Sequence, residues 1–243
     1  MDRVVYFSGC FANYYDPDVG AALLSVMRDH GIDVILSKQL CCGMPMMANM
    51  NRRGAERNFR KIVGNLYAEA KGELDIVTTC PSCNMMLKKE GKGFFPSPEA
   101  DYVSTHVFDS IDYLWRMLLQ GRLKTDFGTI DLRILYHNPC HLSVQGVERT
   151  PGLLALIPGI KIVGINRDCC GMGGSFGMKK ANYEVSQRIG KKVWRMVEEL
   201  KPDFVVTECG GCGLQIGSGT GVKVVHPIVL VSRASGAARM KAA

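Results

Sequence analysis

Asp75-Ile76-Val77-Thr78-Thr79-Cys80-Pro81-Ser82-Cys83 is a short, largely β-branched run that ends on a CxxC, and Asp203-Phe204-Val205-Val206-Thr207-Glu208-Cys209-Gly210-Gly211-Cys212 repeats it. Outward from this pair, a doublet followed by glycine also occurs twice, as Cys41-Cys42-Gly43 and Cys169-Cys170-Gly171. A single cysteine opens each series, Cys10 in the first and Cys140 in the second. The offsets between equivalent positions are 130 (10 to 140), 128 (41 to 169) and 129 (80 to 209), so the register barely drifts. A fixed period that carries its flanks with it is the mark of an internal duplication. Val103-Ser104-Thr105-His106 and Lys223-Val224-Val225-His226 read as a further matched pair of flanks.

Each copy alternates strand-like and helix-like segments. Val4–Phe7, Val34–Leu36 and Ile76–Thr78 read as strands of the first copy, and Val19–Asp29 and Glu56–Ala70 as its helices. The second copy follows with strands at Arg133–Tyr136, Ile160–Ile165 and Phe204–Thr207 and a helix over Asn182–Leu200. Phe108–Leu119 carries helical periodicity at the end of the first copy. Short apolar strands between helices imply parallel sheets covered on both faces. The expectation is an α/β protein of two homologous βαβ-type halves, pseudo-two-fold related, with one site per half. The polar stretch Gly121–Thr129 marks the boundary, giving domains 1–122 and 123–243. Cys10, Cys80, Cys140 and Cys209 fall just past the carboxyl ends of strands, where open α/β sheets bind ligands.

The bulk composition narrows the function classes. Of the 243 residues 47% are hydrophobic and 22% charged, which is ordinary for a globular protein. The most apolar stretch, Leu153–Ile165, is interrupted by Pro158, Gly159 and Lys161 and falls short of the roughly 20 residues of a membrane span. Met1-Asp2-Arg3 runs straight into a strand without a leader pattern, so a cytoplasmic location is expected, with membrane association only through a partner. Reducing thiol pools there keep disulfides open, so ten cysteines point to metal or redox chemistry. The formal charge of +7 counts every cysteine as neutral. Five thiolates around a core of about +2 would leave about −3 per site, and no Lys/Arg cluster is interleaved with aromatics, so no nucleic-acid partner is expected.

Zinc is the simplest occupant of a CxxC, because it takes four tetrahedral ligands. Each half, however, offers five thiols, and the Cα atoms of adjacent cysteines lie about 3.8 Å apart, awkward for chelating one small ion. A multi-iron cluster spreads its ligand positions over several irons, so neighbouring thiolates can serve different atoms. An ordinary cubane uses only four of them.

The spacings C-x30-CCG-x37-CxxC and C-x28-CCG-x38-CxxC resemble the duplicated cysteine-rich CCG domain found in the B subunit of heterodisulfide reductase. The same domain recurs in the third subunit of anaerobic glycerol-3-phosphate dehydrogenase and in glycolate and lactate oxidation systems. Gly9-Cys10-Phe11-Ala12-Asn13-Tyr14 and Phe176-Gly177-Met178-Lys179-Lys180-Ala181-Asn182-Tyr183 are similar to that third, iron–sulfur subunit of the glycerol-3-phosphate dehydrogenase. The resemblance implies two [4Fe-4S] clusters of a non-cubane type. Their ligands would be Cys10, Cys41, Cys42, Cys80 and Cys83 in the first half and Cys140, Cys169, Cys170, Cys209 and Cys212 in the second.

It further implies an oxidoreductase subunit that works only with partners, a ferredoxin-like iron–sulfur subunit and a flavoprotein, on a thiol, disulfide or other sulfur substrate. No CxxCxxCxxxCP run is present, so electrons would come from another polypeptide. Two complete cysteine sets favour heterodisulfide-reductase-like chemistry over the dehydrogenase subunit, whose first set looks degenerate. The alternatives are an electron conduit from a flavin dehydrogenase of glycerol-3-phosphate or a 2-hydroxy acid towards quinone, and a non-enzymatic zinc scaffold.

Three further groups of residues invite a reading. The glycines of Gly171-Met172-Gly173-Gly174-Ser175-Phe176-Gly177 fit either backbone N–H groups aimed at sulfur or a tight turn into the next helix. They do not match a dinucleotide fingerprint. Among His106, His137, His141 and His226, the two flanking Cys140, His137 and His141, are the candidates for proton delivery. Met44, Met46, Met47 and Met50 are expected to pack against the site or a docking surface.

Overall fold

The computed structural model describes residues 2–242. The chain forms two compact units, Met1–Leu123 and Lys124–Ala243. The first runs β1 (Arg3–Phe7), α1 (Gly9–Tyr14), α2 (Pro17–Asp29), β2 (Asp33–Leu36), α3 (Met44–Ala48), α4 (Arg52–Ala70), β3 (Asp75–Thr78) and α5 (Pro81–Met85). A π-helical turn at Met86–Glu90 leads into α6 (Gly91–Phe94), α7 (Pro98–His106), β4 (Val107–Asp109) and α8 (Ser110–Leu119). Its four strands are parallel in the order β2-β1-β3-β4.

The second unit repeats the plan with β5 (Leu132–His137), α9 (Cys140–Ser143), α10 (Thr150–Leu154), β6 (Ile160–Asn166), a 3-10 turn at Lys180–Asn182 and α11 (Tyr183–Leu200). It closes with β7 (Phe204–Val206), α12 (Gly210–Thr220), β8 (Lys223–Val225) and α13 (Pro227–Ala242). The order is again parallel, β6-β5-β7-β8. The chain is thus an α/β protein of two homologous halves.

The two central strands of each sheet explain the continuous apolar runs. Val4–Phe7 and Ile134–Tyr136 are buried at every position, because helices cover both faces and leave no polar side to alternate with. The long helices α4 and α11 end alike, on Lys71 and Lys201, 130 positions apart and both left-handed with φ of 51° and 45°. At the start of α4 the Asn51 side chain accepts from Gly54 N–H at 3.0 Å, satisfying one of the donors a helix start leaves open.

Two readings of the sequence are corrected here. Val107–Asp109 is a strand paired with β3, so the helix expected over Phe108–Leu119 begins only at Ser110. A three-residue strand directly abutting a helix leaves no room for period 2 to register, and the helical period absorbs it. The match of Val103–His106 with Lys223–His226 also fails, since the former ends α7 while the latter begins with β8.

Strand pairing sets Val107 against Ile76 and Val224 against Val205, which makes Asp109 the equivalent of His226. Both cap the helix that follows. Asp109 Oδ1 accepts from Ile111 N–H at 2.9 Å, and His226 Nδ1 accepts from Ile228 N–H at 3.1 Å. His226 is therefore engaged as a cap.

Candidate functional site

In an open parallel sheet the loops on either side of the point where strand order reverses diverge and leave a crevice at the carboxyl edge. That point lies between β1 and β3 in the first half and between β5 and β7 in the second. Cys10 follows β1 and Cys80-Pro81-Ser82-Cys83 follows β3, while the loop after β2 carries Cys41-Cys42. Cys140, Cys209, Cys212 and Cys169-Cys170 occupy the same stations around β5, β7 and β6. All ten are free thiols.

In the first half Cys42 and Cys83 are buried, Cys41 and Cys80 half-buried, and Cys10 exposed. Hydrogen bonds from Cys41 and then Cys83 hold the Cys42 thiol well below its ordinary value. Donating to Cys42, and then burial, raises Cys41. Cys83 is raised chiefly by its bonds to Cys42 and Cys80. Burial raises Cys10, helped by the charges of Cys80 and Cys42.

In the second half Cys170 and Cys212 are buried with their sulfurs 3.2 Å apart, Cys209 is half-buried, and Cys140 and Cys169 are exposed. Cys169 is lowered to about 2, first by the bond from Cys140 and then by that from Cys170. Its Sγ also accepts Gly171 N–H at 3.3 Å. Cys140 is raised by its bond to Cys169, Cys170 is raised to about 12 by its own bond to Cys169, and Cys212 is raised by its bond to Cys170. The bond from Cys212 lowers Cys209, whose Sγ accepts Cys212 N–H at 3.4 Å.

Shared S–H···S hydrogen bonds thus link most of each set, and they favour the thiolate at Cys42 in the first half and at Cys169 and Cys209 in the second. Five thiolates this close repel one another unless a polycation sits among them, and soft sulfur donors suit iron–sulfur cores and zinc. The residues fit a metal centre. Buried sulfurs form its floor and exposed ones its rim.

The loop after each doublet turns on a glycine with positive φ, 94° at Gly43 and 88° at Gly171. A Cβ at Gly171 would collide with Ser186 O, and one at Gly43 would lie 3.0 Å from Ala55 O. The second glycine loop makes a tight turn, and one of its N–H groups reaches a cysteine sulfur. Gly173 and Gly174 also adopt positive φ, Gly177 N–H closes on Met172 O at 2.8 Å, and Gly171 N–H reaches sulfur. Ser186 Oγ donates to Gly171 O at 2.9 Å and accepts from Gln215 Nε2 at 2.7 Å, which ties the loop to α11 and α12.

Of the four histidines near the motifs, His137 groups with two of the buried thiols. His137, fully buried, has a ring nitrogen within 4.8 Å of the Cys170 and Cys212 sulfurs, which are themselves that close to each other. Its Nδ1 lies 2.8 Å from Asn166 Oδ1, and burial lowers its pKa. His106 stacks on Tyr102 and bonds Tyr102 O through Nδ1 at 2.9 Å. His141 is half-buried on α9, with its carbonyl accepting from Gln145. Met44, Met46 and Met47 pack partly buried against the first half's core, and Met50 stands 90% exposed.

Asn166 and Glu208 were not singled out by sequence reasoning. Glu208 is buried, its carboxyl pushed up to about 7 by burial, and it accepts from Thr150 Oγ and, at 3.2 Å, from the Tyr136 hydroxyl. A signal existed for it, since a glutamate stands at the end of an apolar strand where the first copy has Thr79. Asn166 carried none, being a lone asparagine at a strand end.

The cysteine-rich CCG domain matches the chain twice, over residues 4–88 and 134–217. The chain is 35% identical to the C subunit of anaerobic glycerol-3-phosphate dehydrogenase from Escherichia coli K12 over 247 aligned positions, which cover 96% of this chain and 59% of that protein. It is 34% identical to the B subunit of fumarate reductase (CoM/CoB) from Methanothermobacter marburgensis, covering 88% of this chain and 41% of that one. An uncharacterized iron–sulfur protein of Methanocaldococcus jannaschii is 32% identical over 88% of the chain and 41% of its own length. The chain spans about half the length of these relatives. With two copies of the domain, each built around one complete cysteine set, the chain belongs to the cysteine-rich CCG domain family.

Proposed function

We propose that the protein is an iron–sulfur redox subunit in which Cys10, Cys41, Cys42, Cys80 and Cys83 hold one [4Fe-4S] cluster and Cys140, Cys169, Cys170, Cys209 and Cys212 a second, of non-cubane type. The observation that carries this reading is that both members of each doublet belong to the hydrogen-bonded thiol set, which four-coordinate zinc would not require. An uncharacterized iron–sulfur protein among the relatives supports it.

Such clusters, when bound, exchange one electron each, so two in one chain match the two-electron chemistry of a thiol/disulfide pair or another sulfur substrate. The chain's own part is to present the metal at an open edge. Cys10, Cys140 and Cys169 are exposed, so a small sulfur compound can approach each site from solvent. The similarity to a fumarate reductase subunit designated CoM/CoB favours a thiol substrate. A ferredoxin-like iron–sulfur subunit and a flavoprotein are the proposed partners, and any membrane contact would run through them. No helix among the described residues is long and apolar enough to cross a membrane. The 35% identity to a glycerol-3-phosphate dehydrogenase subunit supports a second reading, an electron conduit from a flavin dehydrogenase towards quinone.

Anaerobic purification with metal, sulfide and low-temperature EPR analysis tests the proposal. About eight iron and eight sulfide per chain are expected for two clusters of this kind. A colourless protein holding two zinc ions would sink it. Thiols or disulfides added without partner proteins should perturb the EPR signal if sulfur chemistry occurs at the metal, and unchanged spectra would favour the conduit.

A further inference from the structure

We propose that His137 is a sixth donor of the second half's metal site, binding iron through Nε2 beside Cys170 and Cys212; the inference rests on the iron–sulfur reading above. By sequence His137 is a candidate for moving protons, and nothing in the first half suggests a ligand there, because its equivalent is Phe7, 130 positions earlier.

The hydrogen bonds determine which ring nitrogen is available. Asn166 Nδ2 donates to Met196 Sδ at 3.2 Å, which turns Asn166 Oδ1 towards His137 Nδ1 at 2.8 Å. An amide oxygen only accepts, so Nδ1 carries the proton and the neutral ring presents its lone pair on Nε2. An outer partner that orients one ring nitrogen in this way is the usual arrangement of a metal-bound imidazole.

Nε2 is fully buried and is one of the few buried side-chain polar atoms among the described residues with no hydrogen-bond partner. With Nδ1 committed to Asn166, it is the nitrogen left to pair with the Cys170 and Cys212 sulfurs, the three atoms lying within 4.8 Å of one another. Once those thiols lose their protons to metal, no S–H remains there to donate to the lone pair. A cation is the partner that satisfies it, because a buried acceptor left without one is destabilising.

Phe7 in the first half packs in the same apolar cluster as Cys42 and Cys83, the equivalents of Cys170 and Cys212. The first site is therefore all sulfur, and the second mixed sulfur and nitrogen. A neutral imidazole added to five thiolates leaves the ligand charge unchanged but alters the electron donation to one iron, and ligand identity is one of the levers that set potential. The two sites of one chain should then differ in ligand set and in potential.

The test labels the intact protein with [15N]histidine and reads hyperfine couplings by pulsed EPR on the reduced, iron-loaded protein, with iron content measured in parallel. A directly bonded nitrogen is expected, its coupling retained in His141→Gln and lost in His137→Phe, while the five cysteines keep the iron of His137→Phe near the wild-type level. Loss of the nitrogen should also move the second signal towards the first in potentiometric titration. A wild-type protein that carries both clusters but shows only weak, through-hydrogen-bond coupling, or none, overturns the ligand. A coupling that disappears in His141→Gln overturns it as well. A wild-type protein without iron would overturn the cluster reading instead, so the two failures are distinguishable. The labelled wild type needs no substitution, so the result does not depend on whether the variants fold.

Discussion

The two halves share strand order, five cysteine stations and a left-handed glycine after each doublet, yet they differ in what stands behind the thiols. Behind the first set are Phe7 and Thr79, the latter's hydroxyl 3.0 Å from that of Tyr6. Behind the second are His137, clamped by Asn166, and Glu208, held by Thr150 and by Tyr136, the equivalent of Tyr6. Duplication kept the ten thiols and changed the residues beside them. Groups beside the thiols add donors, orient ligands and set potential, so two sites with one cysteine pattern need not do one job. The second half places a buried imidazole and a buried carboxyl where the first has a phenyl ring and a hydroxyl.

Removing a doublet thiolate is the severest way to break the symmetry. If all five thiols of a set are ligands, Cys41→Ser or Cys42→Ser should abolish or transform the first half's EPR signal, and Cys169→Ser or Cys170→Ser the second's. Serine is a poorer ligand for a soft metal site, and each half supplies its own thiols, so the other signal should persist. Iron content should fall by about half in each variant, as expected for one cluster of two. Full iron with an unchanged signal in one doublet variant would mean four ligands and a spectator thiol.

The glycines sharpen the comparison at the level of stability. Gly171→Ala drives a Cβ into the Ser186 carbonyl, whereas Gly43→Ala meets Ala55 O at the edge of tolerance. Both carry the left-handed cost of about 1–2 kcal/mol, and Gly171→Ala adds overpacking of about 1–3 kcal/mol. Thermal denaturation should therefore show the second-half variant to be the more damaging. Equal losses would show that the loop after Cys170 relaxes freely.

The smallest expected difference concerns the acceptors of the two buried tyrosines. Glu208→Ala removes the acceptor of both Tyr136 and Thr150, and a cost of about 2 kcal/mol is expected, as for hydrogen bonds to a buried carboxyl. Thr79→Ala removes the hydroxyl bond to Tyr6, worth about 1 kcal/mol. Chemical denaturation of the two variants side by side measures the gap, and a larger loss in Thr79→Ala would reverse the assignment of the more polar half.

Strand and helix positions were legible because helix-covered parallel strands read as unbroken apolar runs, and turn residues punctuate them. Val107–Asp109 was not, since three residues are too few for a period to show beside a helix. The placement of the cysteines past strand ends followed from the repeat and from the edge rule of parallel sheets. By itself, then, the sequence determined the duplication, the α/β alternation and the two sets of five thiols.

Only the tertiary structure decided that His137 faces sulfur while His106 stacks on Tyr102 and His226 caps a helix. The physical reason is that a buried polar group is defined by its partners. For His137 and Glu208 those partners lie 29 and 58 residues away, at Asn166 and Thr150. No local pattern encodes a hydrogen bond closed across a sheet edge, because the group that receives it is chosen by packing.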